Sequence, residues 1–150
     1  SPHWDMYARG LLIGLTRGTS RAHIIRAALE AMAYQTCDVV NSMIAAAGVP
    51  VSVVRVDGGA SVNDLAMQFQ SDMLQAPVQR PQVVETAALG AAYLAGLAVG
   101  YWESQDQIAA NWRLDHTYTP QMSVDHRDRL YRGWQEAVRR SRAWSTVAST

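Results

Sequence analysis

In the stretch Val51-Ser52-Val53-Val54-Arg55-Val56-Asp57-Gly58-Gly59-Ala60-Ser61-Val62-Asn63, a β-branched run gives way to a glycine pair and then to a helix start. Branched side chains suit a pleated, buried strand, which predicts a strand over 51–56. Two glycines at the carboxyl end of a strand let the backbone approach a ligand with no Cβ in the way. The helix expected from Asn63 would turn free N–H groups and a positive dipole end toward the same place. Ligands of open α/β sheets sit beyond the carboxyl ends of strands, and a nucleotide suits that geometry. Asn63 can both donate and accept hydrogen bonds there. A plainer reading stays open: a Gly-Gly pair after a strand is often only a turn, and Asn63 can be no more than the N-cap of its helix. No Gly-Lys-Ser/Thr follows, so the stretch is not a full phosphate loop.

Upstream, Ile25, Leu29, Met32, Thr36, Val40 and Met43 recur at spacings of three and four. They predict a long helix over 22–47 with one apolar stripe, stopped by Gly48 with Pro50 just beyond. Residues 16–21 form a polar loop. Before them, Gly10-Leu11-Leu12-Ile13-Gly14-Leu15 is apolar and bounded by glycine, so 7–15 reads as a buried strand or strand end. Downstream of Asn63, Leu65, Phe69 and Met73 fall four apart on one helix face. Residues 76–84 are proline-flanked and extended. Residues 87–99 form an Ala/Gly-rich helix, expected to be buried within 86–99, with Gly90 and Gly96 leaving room for a neighbouring backbone. A short helix over 105–111 and an edge strand over 114–118 follow. The last helix, 123–144, has Ser123 as its N-cap, Leu130, Trp134 and Val138 on one face, and Arg139, Arg140 and Arg142 near its end. Strands alternating with helices make the fold class α/β.

The chain has 150 residues, the length of one domain, with 13 basic and 13 acidic side chains. That balance leaves no electrostatic footprint for nucleic acid or an anionic membrane. The one cysteine, Cys37, sits inside a helical pattern as a small core residue; a lone thiol builds no disulfide framework, which favours the cytoplasm. The most apolar stretch, 86–100, is shorter than the roughly 20 residues a membrane span needs. His3, His23, His116 and His126 do not form metal-ligand spacings with Cys37. Glu30 and Glu85 are single carboxylates, so no catalytic residue and no metal site is assigned. Trp134 and Trp144 read as core or interface. The opening Ser1-Pro2-His3-Trp4-Asp5, without Met and already patterned, reads as the start of a fragment.

Three blocks carry a family resemblance. Gly10, Leu12, Gly14 and Leu15, with His23-Ile24 and Ala27-Ala28-Leu29-Glu30 after a gap, resemble the second signature of the carbohydrate kinases named for their Phe-Gly-Gly-Tyr motif. Val56-Asp57-Gly58-Gly59-Ala60 is similar to the adenosine motif of the wider actin, hexokinase and heat-shock ATPase superfamily. Glu85-Thr86-Ala87-Ala88-Leu89-Gly90-Ala91-Ala92 resembles a further block of these kinases. Within the family, Tyr7-Ala8-Arg9-Gly10, Gly14-Leu15-Thr16-Arg17-Gly18 and Met67-Gln68-Phe69-Gln70-Ser71-Asp72 look like the glycerol kinase branch, over nearly the whole chain.

The resemblance implies a ribonuclease-H-like domain of the actin-like ATPase superfamily, a mixed sheet flanked by helices. Residues 1–150 would be a single C-terminal nucleotide-binding domain, with the N-terminal substrate domain absent from this chain. ATP would lie in the cleft between the two domains. Gly59 and Asn63 match the family's nucleotide contacts, with Gly58 and Ala60 beside them. The family branch transfers the γ-phosphoryl group of MgATP to glycerol, giving glycerol 3-phosphate. The general base, the glycerol contacts and the Mg2+ ligands would all lie upstream of Ser1, so these residues alone would be inactive. The implied partners are the N-terminal domain, ATP or ADP, and a homo-oligomer. Two alternatives are kept: the same domain of a kinase for another sugar such as xylulose or gluconate, and a non-catalytic nucleotide-binding domain.

Overall fold

The computed structural model describes residues 2–147. Helix α1 (Arg21–Ala47) begins at Ser20, whose N–H donates to Nδ1 of His23 at 3.0 Å. It ends at Gly48, which takes φ 67° and donates its N–H to the Ile44 carbonyl. Strand β1 (Val54–Arg55) follows, then a 3-10 turn (Gly59–Val62) and helix α2 (Asp64–Leu74). Next come β2 (Val78–Pro81), α3 (Thr86–Ala98), α4 (Gln105–Ala109) and β3 (Leu114–Tyr118). Helix α5 (Val124–Ser141) and the short α6 (Trp144–Val147) close the chain. The sheet is mixed, in order β1-β2-β3, with β1 parallel to β2 and β3 antiparallel to it. The parallel pair is joined through α2, as parallel strands require a crossover.

Two adjoining clusters form the core, and α2 contributes to both. On one side Phe69 and Met73 pack with Ala33 and Cys37 of α1, bordered by Tyr34, Leu130 and Tyr131. On the other, Ala66 and Met67 meet Val78 and Tyr118, bordered by Leu29, Val54 and Val56. Met73 and Val78 are fully buried, each contributing about 1.5–3 kcal/mol of hydrophobic stabilisation. Small side chains at Ala33 and Cys37 let α1 and α2 approach closely. Tyr34 then stacks on Trp134 of α5 and meets Phe69 edge-on, both at 5.4 Å. Asp38 ties α5 down, accepting from the Tyr131 hydroxyl at 2.5 Å and from Nε1 of Trp134 at 2.8 Å.

Several expectations give way. The α1 stripe is only partly the buried face: Leu29, Thr36 and Val40 are half-buried, but Ile25, Met32 and Met43 are exposed, because the neighbouring helix lies over Ala33 and Cys37. On α2, Phe69 and Met73 are buried but Leu65 is exposed. Residues 7–15 form no strand. The first of them lie at the end of α5, where Arg9 N–H donates to the Ser141 carbonyl and Ser145 N–H to that of Tyr7, and residues 12–15 lie beside the start of α1. The last helix breaks at Ala143, which takes φ 52°, and Trp144 is exposed. Helix α3 exists but buries no residue. A Cβ at Gly90 would meet nothing within 4 Å, while one at Gly96 would strike the Trp102 ring, a side chain rather than a backbone. An Ala/Gly surface permits close packing, but the described residues bring no layer against it.

Burial pushes the Cys37 thiol up to about 11. At pH 8 its thiolate fraction falls about 100-fold below that of a free thiol, so native Cys37 should react with an uncharged disulfide reagent at least that much more slowly than after unfolding. A stopped-flow comparison with and without denaturant checks this, and equal rates would contradict it.

Candidate functional site

The sheet ends in a tightly held turn. Val54 and Val56 donate their N–H groups to the carbonyls of Pro77 and Gln79, which sets the direction in which β1 leaves the sheet. Asp57 accepts a hydrogen bond from the Thr86 hydroxyl at the start of α3. Gly58 takes φ 77° and ψ 172°, a region essentially open to glycine alone, and its N–H donates to the Val84 carbonyl at 2.7 Å. The chain then coils through the 3-10 turn. Ser61 is buried and closes this turn on itself, its Oγ donating to the Gly58 carbonyl at 2.7 Å.

The outer rim of the turn is open. Gly59, Ala60, Val62 and Asn63 are exposed, and a Cβ at Gly59 would project into space with nothing within 4 Å. Asn63 caps α2: its Oδ1 accepts from the Ala66 N–H at 3.0 Å. The plainer role foreseen for it is therefore present. It occupies only one end of the amide, and Nδ2 has no protein partner among the described residues. So Gly58, Gly59, Ala60 and Asn63 lie together on one short turn at the carboxyl end of β1, with a free amide donor beside an unobstructed glycine.

Behind the turn lies a polar cluster that periodicity did not reveal. Arg80 of β2 donates from Nη1 to the Ser61 carbonyl at 3.1 Å and to Oδ1 of Asp64 at 2.9 Å, and from Nε to Oδ2 of Asp115 at 2.7 Å. The Tyr118 hydroxyl donates to the same Asp64 oxygen at 2.5 Å. These bonds, the Tyr118 hydroxyl foremost and then the Arg80 guanidinium, hold the Asp64 carboxyl below its ordinary range. The same bond from Tyr118, together with burial as the larger cause, raises the phenol to about 12. Asp64 therefore stays ionised at the N-terminus of α2, where a negative charge offsets the helix dipole. The start of α2 is thus already compensated, which suits an uncharged base or ribose better than a phosphate.

A separate cavity of about 420 Å3 opens between α3, α4 and the strands, lined by Arg55, Val83, Leu89, Tyr93 and Trp112 among others. It does not include Gly59 or Asn63. The Arg55 guanidinium lies 4.2 Å from the centre of the Trp112 ring there. Glu30 forms an ion pair with Arg26 one turn before it. Among the described residues, no three His, Cys, Asp or Glu side chains converge as a metal site requires, and no helix is long and apolar enough to cross a membrane.

Residues 1–99 match the model of the FGGY family of carbohydrate kinases, C-terminal domain. The chain is 60% identical over 144 residues to glycerol kinase 2 of Thermotoga maritima, covering 96% of this chain and 29% of that protein. It is 56% identical over 145 residues to glycerol kinase of Caldanaerobacter subterraneus, covering 97% and 29%. Among solved structures, it superposes on Plasmodium falciparum glycerol kinase with ADP at a TM-score of 0.81 and 36% identity, covering 94% of this chain and 28% of that one. Xylulose kinase from Rhodospirillum rubrum gives a TM-score of 0.66 at 28% identity, covering 83% and 25%. The chain thus spans about 29% of the length of the curated relatives it matches.

Proposed function

The chain belongs to the FGGY family of carbohydrate kinases, and from that premise we propose that it is the nucleotide-binding C-terminal part of an ATP-dependent glycerol kinase. The observation that carries the reading is the exposed turn at Gly58, Gly59, Ala60 and Asn63, with space over Gly59 and a free Asn63 amide donor beside it. A purine or ribose can lie flat against Gly59 while Nδ2 of Asn63 donates to one of its acceptor atoms. In this reading, which accords with relatives named glycerol kinase, the γ-phosphoryl group of ATP passes to a terminal hydroxyl of glycerol, giving glycerol 3-phosphate. Phosphoryl transfer depends on positioning and charge stabilisation around both reactants. The described residues offer one wall of such a site. They do not fit a magnesium site by themselves, so no step is routed through the metal. In this reading the glycerol contacts, the general base and the Mg2+ ligands come from a preceding domain, the main partner, and residues 1–150 alone turn over no glycerol. A cytoplasmic setting accords with a buried, lone Cys37.

The test is glycerol-dependent ADP formation by the full-length protein, with xylulose and gluconate as competing acceptors. ATP consumption that is independent of glycerol, or a preference for either sugar substrate, would overturn the assignment. Asn63→Ala should raise the ATP Michaelis constant about 2- to 13-fold through the loss of one hydrogen bond of about 0.5–1.5 kcal/mol, with a smaller change for glycerol. Equal effects on both substrates would mean that Asn63 only caps α2.

A further inference from the structure

We propose that Arg80 is a positioning residue for the nucleotide: from the central strand of the sheet it fixes the height and tilt of the Gly58–Asn63 turn. The inference rests on the nucleotide reading given above and adds a residue outside the turn. Arg80 sits on β2, not on the turn, and its side chain is only 15% exposed. Its guanidinium serves three acceptors on three different segments: the Ser61 carbonyl in the turn, Asp64 in the first turn of α2 and Asp115 on β3. Its central carbon also lies 5.6 Å from the centre of the Tyr118 ring, against which it is braced.

Ser61 is the hinge of the arrangement. Its hydroxyl and its N–H both bond the Gly58 carbonyl, so Ser61 and Gly58 move as one unit, and Arg80 holds that unit by the Ser61 carbonyl. The opposite end of the unit is held by the Gly58 N–H on Val84. Asp64 follows Asn63 directly, so the same guanidinium also sets where the Asn63 amide points. With Arg80 removed, the turn keeps its internal bonds, the Gly58 bond to Val84 and the Tyr118 bond to Asp64, but the Ser61 carbonyl loses its tie to β2. Gly59 and Asn63 then sample several heights, and a ligand that contacts both must select one. A lysine cannot substitute, because an ammonium is a point donor on a flexible stem and lacks the planar fork that spans these acceptors. The expected signature is a loss confined to the nucleotide.

The experiment uses the full-length protein and its Arg80→Met, Arg80→Lys and Asp115→Asn variants, titrated with ATP at saturating glycerol and with glycerol at saturating ATP, with melting temperatures recorded. Arg80→Met and Arg80→Lys should both raise the ATP Michaelis constant about tenfold, with the glycerol constant and kcat within about twofold of the unsubstituted protein. Asp115→Asn, at the sheet surface, keeps the fold if Arg80→Met loses it, and should raise the ATP constant about threefold. An unchanged ATP constant in the folded variants, equal shifts for both substrates, or full rescue by lysine would overturn the inference. Failure of the unsubstituted protein to bind ATP would instead overturn the nucleotide reading, and this inference with it.

Discussion

Gly59→Val in the full-length protein should weaken ATP about 5- to 150-fold, the equivalent of about 1–3 kcal/mol of steric conflict, while leaving the melting temperature nearly unchanged. The separation of the two effects follows from the geometry. Gly59 has no positive φ, and a side chain there meets only open space, so nothing in the folded protein resists valine. The space it fills is the space assigned to the nucleotide. Gly58 behaves differently: its φ of 77° makes any side chain a strain on the turn itself, so substitution there mixes stability with binding. Gly59 is therefore the cleaner probe. Calorimetric titration of ATP into the folded variant checks the result. Unaltered affinity would show that the turn faces solvent and nothing else.

Asp72→Ala should cost about 2–5 kcal/mol and lower the melting temperature more than any surface substitution. Asp72 lies on α2, 8% exposed, and its Oδ1 accepts the N–H groups of Gln121 and Met122 at 2.6 and 3.1 Å and Nε2 of Gln68 at 3.1 Å. It thereby fastens the segment between β3 and α5 to the central helix. Alanine removes the acceptor shared by the Gln121 and Met122 N–H groups, while Gln68 keeps its bond to the Thr119 carbonyl, and a donor left unpaired in a partly buried place carries a desolvation penalty. Asp72→Asn keeps an acceptor oxygen and should cost roughly a third as much, about 1 kcal/mol. Thermal unfolding of both variants measures the difference. Equal losses would mean that charge, not hydrogen-bond acceptance, matters at this position.

What could be read from the residues alone was mostly what is local. The end of α1 and the start of α5 are legible because Gly48 and Ser123 act within a single turn of their own helix. The glycine turn is legible for the same reason: Gly58 and Gly59 adjoin β1 in the chain. The polar cluster behind it is not, since Arg80, Asp115 and Tyr118 meet only through the antiparallel register of β2 and β3. Residues 76–84 read simply as extended, with no sign that Arg80 faces the turn. The strand expected over 51–56 contracts to Val54–Arg55, the two residues that pair with Val78 and Gln79. The continuous apolar run at 10–15 suggested a strand because hydrophobicity reports a wish for burial, not a hydrogen-bonding partner. The same holds for α3, which buries none of its apolar residues fully among the described residues.

The position of β1 at the margin of the sheet has a practical side. Val54 and Val56 spend their N–H groups on β2, and the N–H of Arg55, by strand alternation, faces away from it. Val53, which precedes β1, is exposed, and so are Leu94 and Val99 on and after α3. A strand margin without a partner among the described residues, on a chain that also exposes apolar side chains, favours association between molecules. Preparations of residues 1–150 alone would then be governed by colloidal behaviour: turbidity rising with concentration and with warming, and relief by arginine or a solubilising fusion partner. Crystallisation and spectroscopy of this segment would accordingly begin from dilute stocks.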